Sequence, residues 1–191
     1  MAAKKLLPLS FRRRAEMLAT SERDAFDLSP TCRLDPRALA QQHGIQVVAL
    51  SSLAGVGEYE RALLMRKNSK ELSAVLVGEE GKAVIIVNDS HTPQRQANSI
   101  CHEVAHFLLG HASGPIVDEG GVRVYPERQE DEANWLAGAL LVPVKGLRML
   151  HAKQPRSEIE ENYGVSEELL RWRCNMHGLS PKCRKKQPVK T

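Results

Sequence analysis

Residues 99–113 read SICHEVAHFLLGHAS, and within them His102, Glu103 and His106 form the pattern HExxH. Histidines four apart share one helical face, so the reading turns on what occupies the rest of the circumference. Arg95, Gln96, Ser99, His102, Glu103, His106 and Gly110 fall within about 120° of one another on a helical projection. Ala97, Ile100, Cys101, Val104, Ala105, Phe107, Leu108 and Leu109 cover the remainder. A helix that is apolar over most of its surface is buried, so its polar sector faces the protein interior. Two ring nitrogens on that sector can reach one Zn²⁺ at about 2 Å. Glu103 is turned slightly aside, placed to take the proton of a zinc-activated water as it attacks a peptide carbonyl.

A catalytic zinc needs a third protein ligand and an open fourth position. His111 is five residues beyond His106, about 140° around the helix, and reads as a helix-end residue outside the ligand set. The next acidic candidates lie in PERQEDEANWLAGALLVP, residues 126–143. Glu130, Asn134, Ala137 and Leu141 share one face of a helix there, with Ala133, Ala137 and Gly138 small enough to permit a close helix approach. Glu132 projects about 160° away from Glu130, so the two cannot ligate one ion, and Glu132 is expected to stand apart from the site. Glu130 is the candidate third ligand. Asn134, one turn on, is the candidate acceptor for the outer N–H of a ligand histidine.

The flanks supply the remaining elements. Residues 10–26 carry an intermittent apolar stripe and predict a helix. Asp35 with Pro36 predicts an N-cap and first helical position, and Gly44 a stop after His43. IQVVAL (45–50) predicts a strand, and ELSAVLVG (71–78) with KAVIIVN (82–88) flank EEGK as a hairpin. The HEVAH helix is expected from about Thr92 to His111, a loop over 112–128, and a helix from about Arg128 to Val142. A shorter helix is expected over 144–153, then two helices within 157–179 joined at Gly164–Val165, with Ser166 capping the second. The organisation expected is an N-terminal helical extension (1–34), a central domain (35–154), a closing helical pair (155–180) and a basic tail (181–191).

HEVAHFLLGH followed by EDEANWLAGALLVP resembles the ImmA/IrrE family of bacterial metallo-endopeptidases, in which HExxH-x-LLGH precedes E-x-x-x-N and an apolar run ending in proline. LDPRALAQQHGIQVV and YGVSEELLRWRCNMHGL resemble that family's leading and closing segments, so the similarity extends over most of the chain. The resemblance implies an α+β, gluzincin-like zincin fold, with a small sheet packed on the helices that carry HExxH and the downstream glutamate. It implies one Zn²⁺ per chain held by His102, His106 and Glu130, with Glu103 as base. It implies limited cleavage of a regulatory protein, a helix-turn-helix DNA-binding repressor. The alternative is a non-catalytic zincin-fold protein that binds such a repressor.

Composition sets the outer bounds. At 191 residues, 42% apolar and 26% charged, the chain suits one well-buried globular core. Its apolar runs are far too short to span a membrane, and LLPL near the N-terminus is too short for a signal-peptide core, so a cytoplasmic protein is expected. Cys32, Cys101, Cys174 and Cys183 form no CxxC pair, which argues against a disulfide framework or a cysteine zinc knuckle. The net charge of +4 is concentrated in Lys4, Lys5, Arg12–Arg14 and the tail from Lys182, which read as solvated segments. No aromatic residues are interleaved with them for base stacking, and direct nucleic-acid binding is not expected. The closing GVSEELLRWR pattern resembles part of a helix-turn-helix, but Glu158, Glu160, Glu161, Glu167 and Glu168 would repel phosphates. Arg123, Tyr125, His151 and Tyr163 all stand open as residues to stabilise an oxyanion.

Overall fold

The chain runs α1 (Leu9–Asp24), α2 (Pro36–Gln42), β1 (Gln46–Ala49), β2 (Ala74–Val77), β3 (Val84–Val87), α3 (Pro93–Leu108), α4 (Glu127–Leu141), α5 (Val144–His151), α6 (Arg156–Tyr163) and α7 (Glu167–Met176). This computed structural model describes residues 6–53, 73–77, 83–111 and 125–179. Expectations for the EEGK turn, most of the 112–128 loop, Lys4–Lys5 and the tail fall outside those residues, as does the weakly patterned stretch 54–72.

The sheet has the order β1-β3-β2, with the most apolar strand in the middle. In β3, Ile85 and Val87 are fully buried, as a strand flanked on both sides requires. β1 runs parallel to it, pairing Gln46 with Val84 and Ala49 with Val87. β2 runs antiparallel, pairing Ala74 with Val87 and Val77 with Val84, so the expected hairpin pair forms. β2 is thus an edge strand, and its outer side faces α3.

The helix starts follow the capping signals. Asp35 accepts the Arg37 N–H at 2.9 Å and Pro36 opens α2. Thr92 accepts from Arg95 N at the start of α3, again with proline in the first turn. Ser166 accepts from Leu169 N at the start of α7. α3 buries Ile100, Cys101, Val104 and Ala105 and packs on β2, β3, α2 and α4. α4 buries every residue from Trp135 to Leu141 between α3 and α1. Among its small residues, Gly138 serves α7: a Cβ there would lie 2.6 Å from the Trp172 ring.

Two charged residues lie at the centre of the packing. Arg23, at the end of α1, is 2% exposed and donates to the carbonyls of Leu140 and Ser29. Arg173 is fully buried, donating to Val142 O at 3.0 Å and to Glu16 Oε1 at 2.6 Å. The N-terminal basic cluster is also less detached than its charge predicts. Arg12 sits over the Trp135 ring, 5.4 Å from its centroid, so α1 is docked on α4 through it.

Candidate metal centre

α3 presents His102 and His106 one turn apart, and α4 crosses so that Glu130 meets both rings. His102 Nε2 lies 3.0 Å from His106 Nε2. Glu130 places Oε2 at 3.3 Å from His102 Nε2 and Oε1 at 3.5 Å from His106 Nε2. Zinc bonds of about 2.0–2.1 Å in a tetrahedron set neighbouring donors about 3.3 Å apart. The three observed separations bracket that distance. Two imidazoles and a carboxylate are also a donor set that leaves a coordination position open, so the residues fit a catalytic type of zinc site. Among the described residues this is the group of possible ligands whose donor atoms converge, all within 4.8 Å. Exposure falls in order across the three: the side chain of Glu130 is 39% exposed, His102 18% and His106 0%, so the group opens to solvent on the Glu130 side.

The electrostatics follow from these contacts. His102 and His106 beside it hold the Glu130 carboxyl down at about 2, against the opposing effect of burial. Burial pulls His102 down, but the Glu130 hydrogen bond, the charges of Glu103 and Glu130, and a hydrogen bond to Asn134 outweigh it and raise its pKa. His106 goes the other way, lowered by burial that the Glu130 contact does not offset. Asn134 is therefore a hydrogen-bond partner of one candidate ligand, His102. Asn134 also lines a cavity of about 380 Å³ whose apolar walls include Trp135, Leu169 and Trp172.

Glu103 is buried beside the group without entering it. Its Oε2 accepts the backbone N–H of Leu76, at 3.0 Å, from the outer side of β2. The carboxylate is thereby oriented by the edge strand, a contact between residues 27 positions apart in sequence that no local pattern reveals.

Three further side chains belong to the site. Gly110, at φ +69°, ends the helix and turns the chain so that His111 comes back under His106. His111 Nδ1 lies 3.2 Å from His106 Nδ1, and His111 Nε2 lies 3.3 Å from Glu132 Oε2. His111 is thus more than a helix-end residue, and Glu132, expected to stand apart, reaches the centre through it without joining the ligands. Tyr125 stacks on the His106 ring with centroids 3.7 Å apart and planes tilted by 16°. Of the other oxyanion candidates, Tyr163 is buried elsewhere, donating to Pro30 O at 2.9 Å, and Arg123 lies outside the described residues.

No helix among the described residues is long and apolar enough to cross a membrane. Residues 40–175 match the IrrE N-terminal-like domain of the M78 peptidases. A comparison with curated protein sequences finds none similar to this chain. Among solved structures, a Mycobacterium tuberculosis transcriptional regulator is similar in fold, with a TM-score of 0.53 and 18% identity over 94% of this chain. The alignment takes in 49% of that protein, so this chain spans about half its length. With the domain match covering most of the chain and the His102–His106–Glu130 cluster inside it, the chain belongs to the ImmA/IrrE family.

Proposed function

We propose that the protein is a zinc-dependent endopeptidase that makes limited cleavages in a regulatory protein, a DNA-binding repressor of the helix-turn-helix type. The observation that carries this reading is the convergence of His102, His106 and Glu130 at zinc-like spacing with a buried carboxylate, Glu103, next to them. Zinc held there supplies Lewis acidity, polarising a peptide carbonyl and making a water acidic enough to lose its proton near neutral pH. Glu103 takes that proton and delivers it to the leaving amine, and the Leu76 N–H keeps its carboxylate aimed during both transfers. Asn134 holds the outer N–H of His102 and so fixes how that ring faces the centre. The apolar cavity beside Asn134 takes a hydrophobic side chain of the substrate. Family resemblance supports the repressor substrate.

The test separates metal from chemistry. In Glu103→Gln the three ligands remain, so zinc stays near one per chain while cleavage falls about 10²–10⁴-fold. Glu130→Ala removes one of three protein ligands and loses zinc. Specific cleavage of one partner repressor, with little attack on unfolded casein, is the expected substrate behaviour. Retained repressor binding with no cleavage at any zinc loading would instead establish the non-catalytic regulator.

A further inference from the structure

We infer that His111 and Glu132 form a one-way hydrogen-bond chain that sets the tautomer of His106 and so presents its Nε2 lone pair to a metal. The inference rests on the metal-centre reading above and assigns both residues as positioning residues.

The direction of the chain follows from donor and acceptor chemistry. A carboxylate only accepts, so at the 3.3 Å contact His111 Nε2 carries the hydrogen and donates to Glu132 Oε2. A neutral imidazole has one N–H, so His111 Nδ1 is bare and accepts. Its partner at 3.2 Å is His106 Nδ1, which therefore carries the N–H. His106 Nε2 is left bare, and it is the atom that lies 3.0 Å from His102 Nε2 and 3.5 Å from Glu130 Oε1. Reversing any link puts a hydrogen on the nitrogen that faces the other two ligands.

The surroundings favour a fixed arrangement. His106, His111 and Glu132 have side chains only 0%, 7% and 12% exposed, so water competes weakly for these contacts. Arg128 Nε donates to Glu132 Oε1 at 3.0 Å, occupying the other oxygen from the solvent side. Tyr125 stacked on His106 resists rotation of the ring out of the chain. A ligand histidine commonly gives its outer N–H straight to a carboxylate. Here a second histidine stands between the two. That lets Glu132, on the wrong side of α4 to approach the rings directly, serve the centre from a distance.

The test uses the full chain. In the metal-free protein with ¹⁵N-labelled histidine, long-range ¹⁵N–¹H spectra report which nitrogen of each ring is protonated. The expected result is N–H at Nδ1 of His106 and at Nε2 of His111. Zinc competition with a chelator then gives Kd for the wild type and the variants. His111→Ala and Glu132→Ala should each weaken zinc about 10–100-fold. His111→Gln, whose amide oxygen takes the same hydrogen bond, should recover much of the loss. His106 protonated at Nε2, or wild-type zinc affinity in both alanine variants, overturns the inference while leaving the metal centre intact. The expected tautomers in a wild-type protein that binds no zinc would overturn the metal-centre reading instead, with the chain still supported.

Discussion

Glu103 has two roles that substitution can pull apart. Its carboxylate is the proposed base, and it is also the acceptor for the Leu76 N–H at the edge of the sheet. Leu76 is 2% exposed and Glu103 8%, so removing the acceptor leaves a backbone N–H with no water to replace it. An orphaned buried donor costs about 1–3 kcal/mol. For a chain of this length that corresponds to a fall in Tm of roughly 2–12 °C. Glu103→Ala should therefore lose both catalysis and stability. Glu103→Gln offers an amide oxygen to the same N–H, giving up only the strengthening that a charged acceptor adds, about 1 kcal/mol at most.

The assay is urea unfolding of the three proteins in chelator, so that zinc bound to the folded state adds nothing to the measured stability. Cleavage is measured in parallel on the zinc-loaded proteins. The expected pattern is two variants equally inactive and unequally stable, with Gln near wild type and Ala well below it. If Ala unfolds at the same denaturant concentration as Gln, the Leu76 contact holds nothing in place. The strand would then have no part in aiming the base.

Other consequences follow from the packing. Glu16→Ala leaves the buried Arg173 guanidinium without its carboxylate and should cost about 3–5 kcal/mol in chemical denaturation. Burial raises the Glu16 pKa, but the His177 and Arg173 contacts outweigh it and the net value lies below the ordinary 4.5. Its contribution is therefore complete above about pH 4.5 and lost as pH falls through the lower folded value, so Glu16→Gln should show a flatter acid limb in stability measured against pH. Gly146→Ala places a Cβ 1.9 Å from Pro30 O and 2.4 Å from the Tyr163 hydroxyl, and should lower Tm by roughly 6–12 °C, the effect of about 3 kcal/mol of overpacking. Gly110→Ala meets no atom within 4 Å, but its φ of +69° strains the turn that returns His111 to His106. It should weaken zinc binding in the chelator assay more than it lowers Tm.

What could be read from the sequence is what local periodicity carries. HEVAH sits on an apolar helix, and Thr92–Pro93 and Asp35–Pro36 announce their helix starts, because each signal lies within one or two turns of the element it marks. The Glu130–Asn134 pair was legible for the same reason, as two residues on one face of one helix. Arg23 and Arg173 were not. Their partners Leu140 and Glu16 are 117 and 157 positions away, so nothing near either arginine distinguishes it from a solvated charge.

Glu132 shows where the helical projection itself stops working. The angle of about 160° from Glu130 is correct about α4's own axis and rules Glu132 out as a ligand. It says nothing about which side chains another helix brings to that second face. α3 ends at Gly110 with a left-handed residue, and the next residue, His111, no longer follows the α3 projection. Both residues leave the site when each helix is read alone, and both enter it when the turn after α3 is laid against α4. A projection can therefore exclude a residue from direct ligation but not from the hydrogen-bonded layer behind the ligands. For this protein the separation can be measured with one substitution. If Glu132→Ala keeps zinc at wild-type affinity, the projection was sufficient and the contacts through His111 are incidental. A loss of about tenfold or more places Glu132 in the centre despite its face.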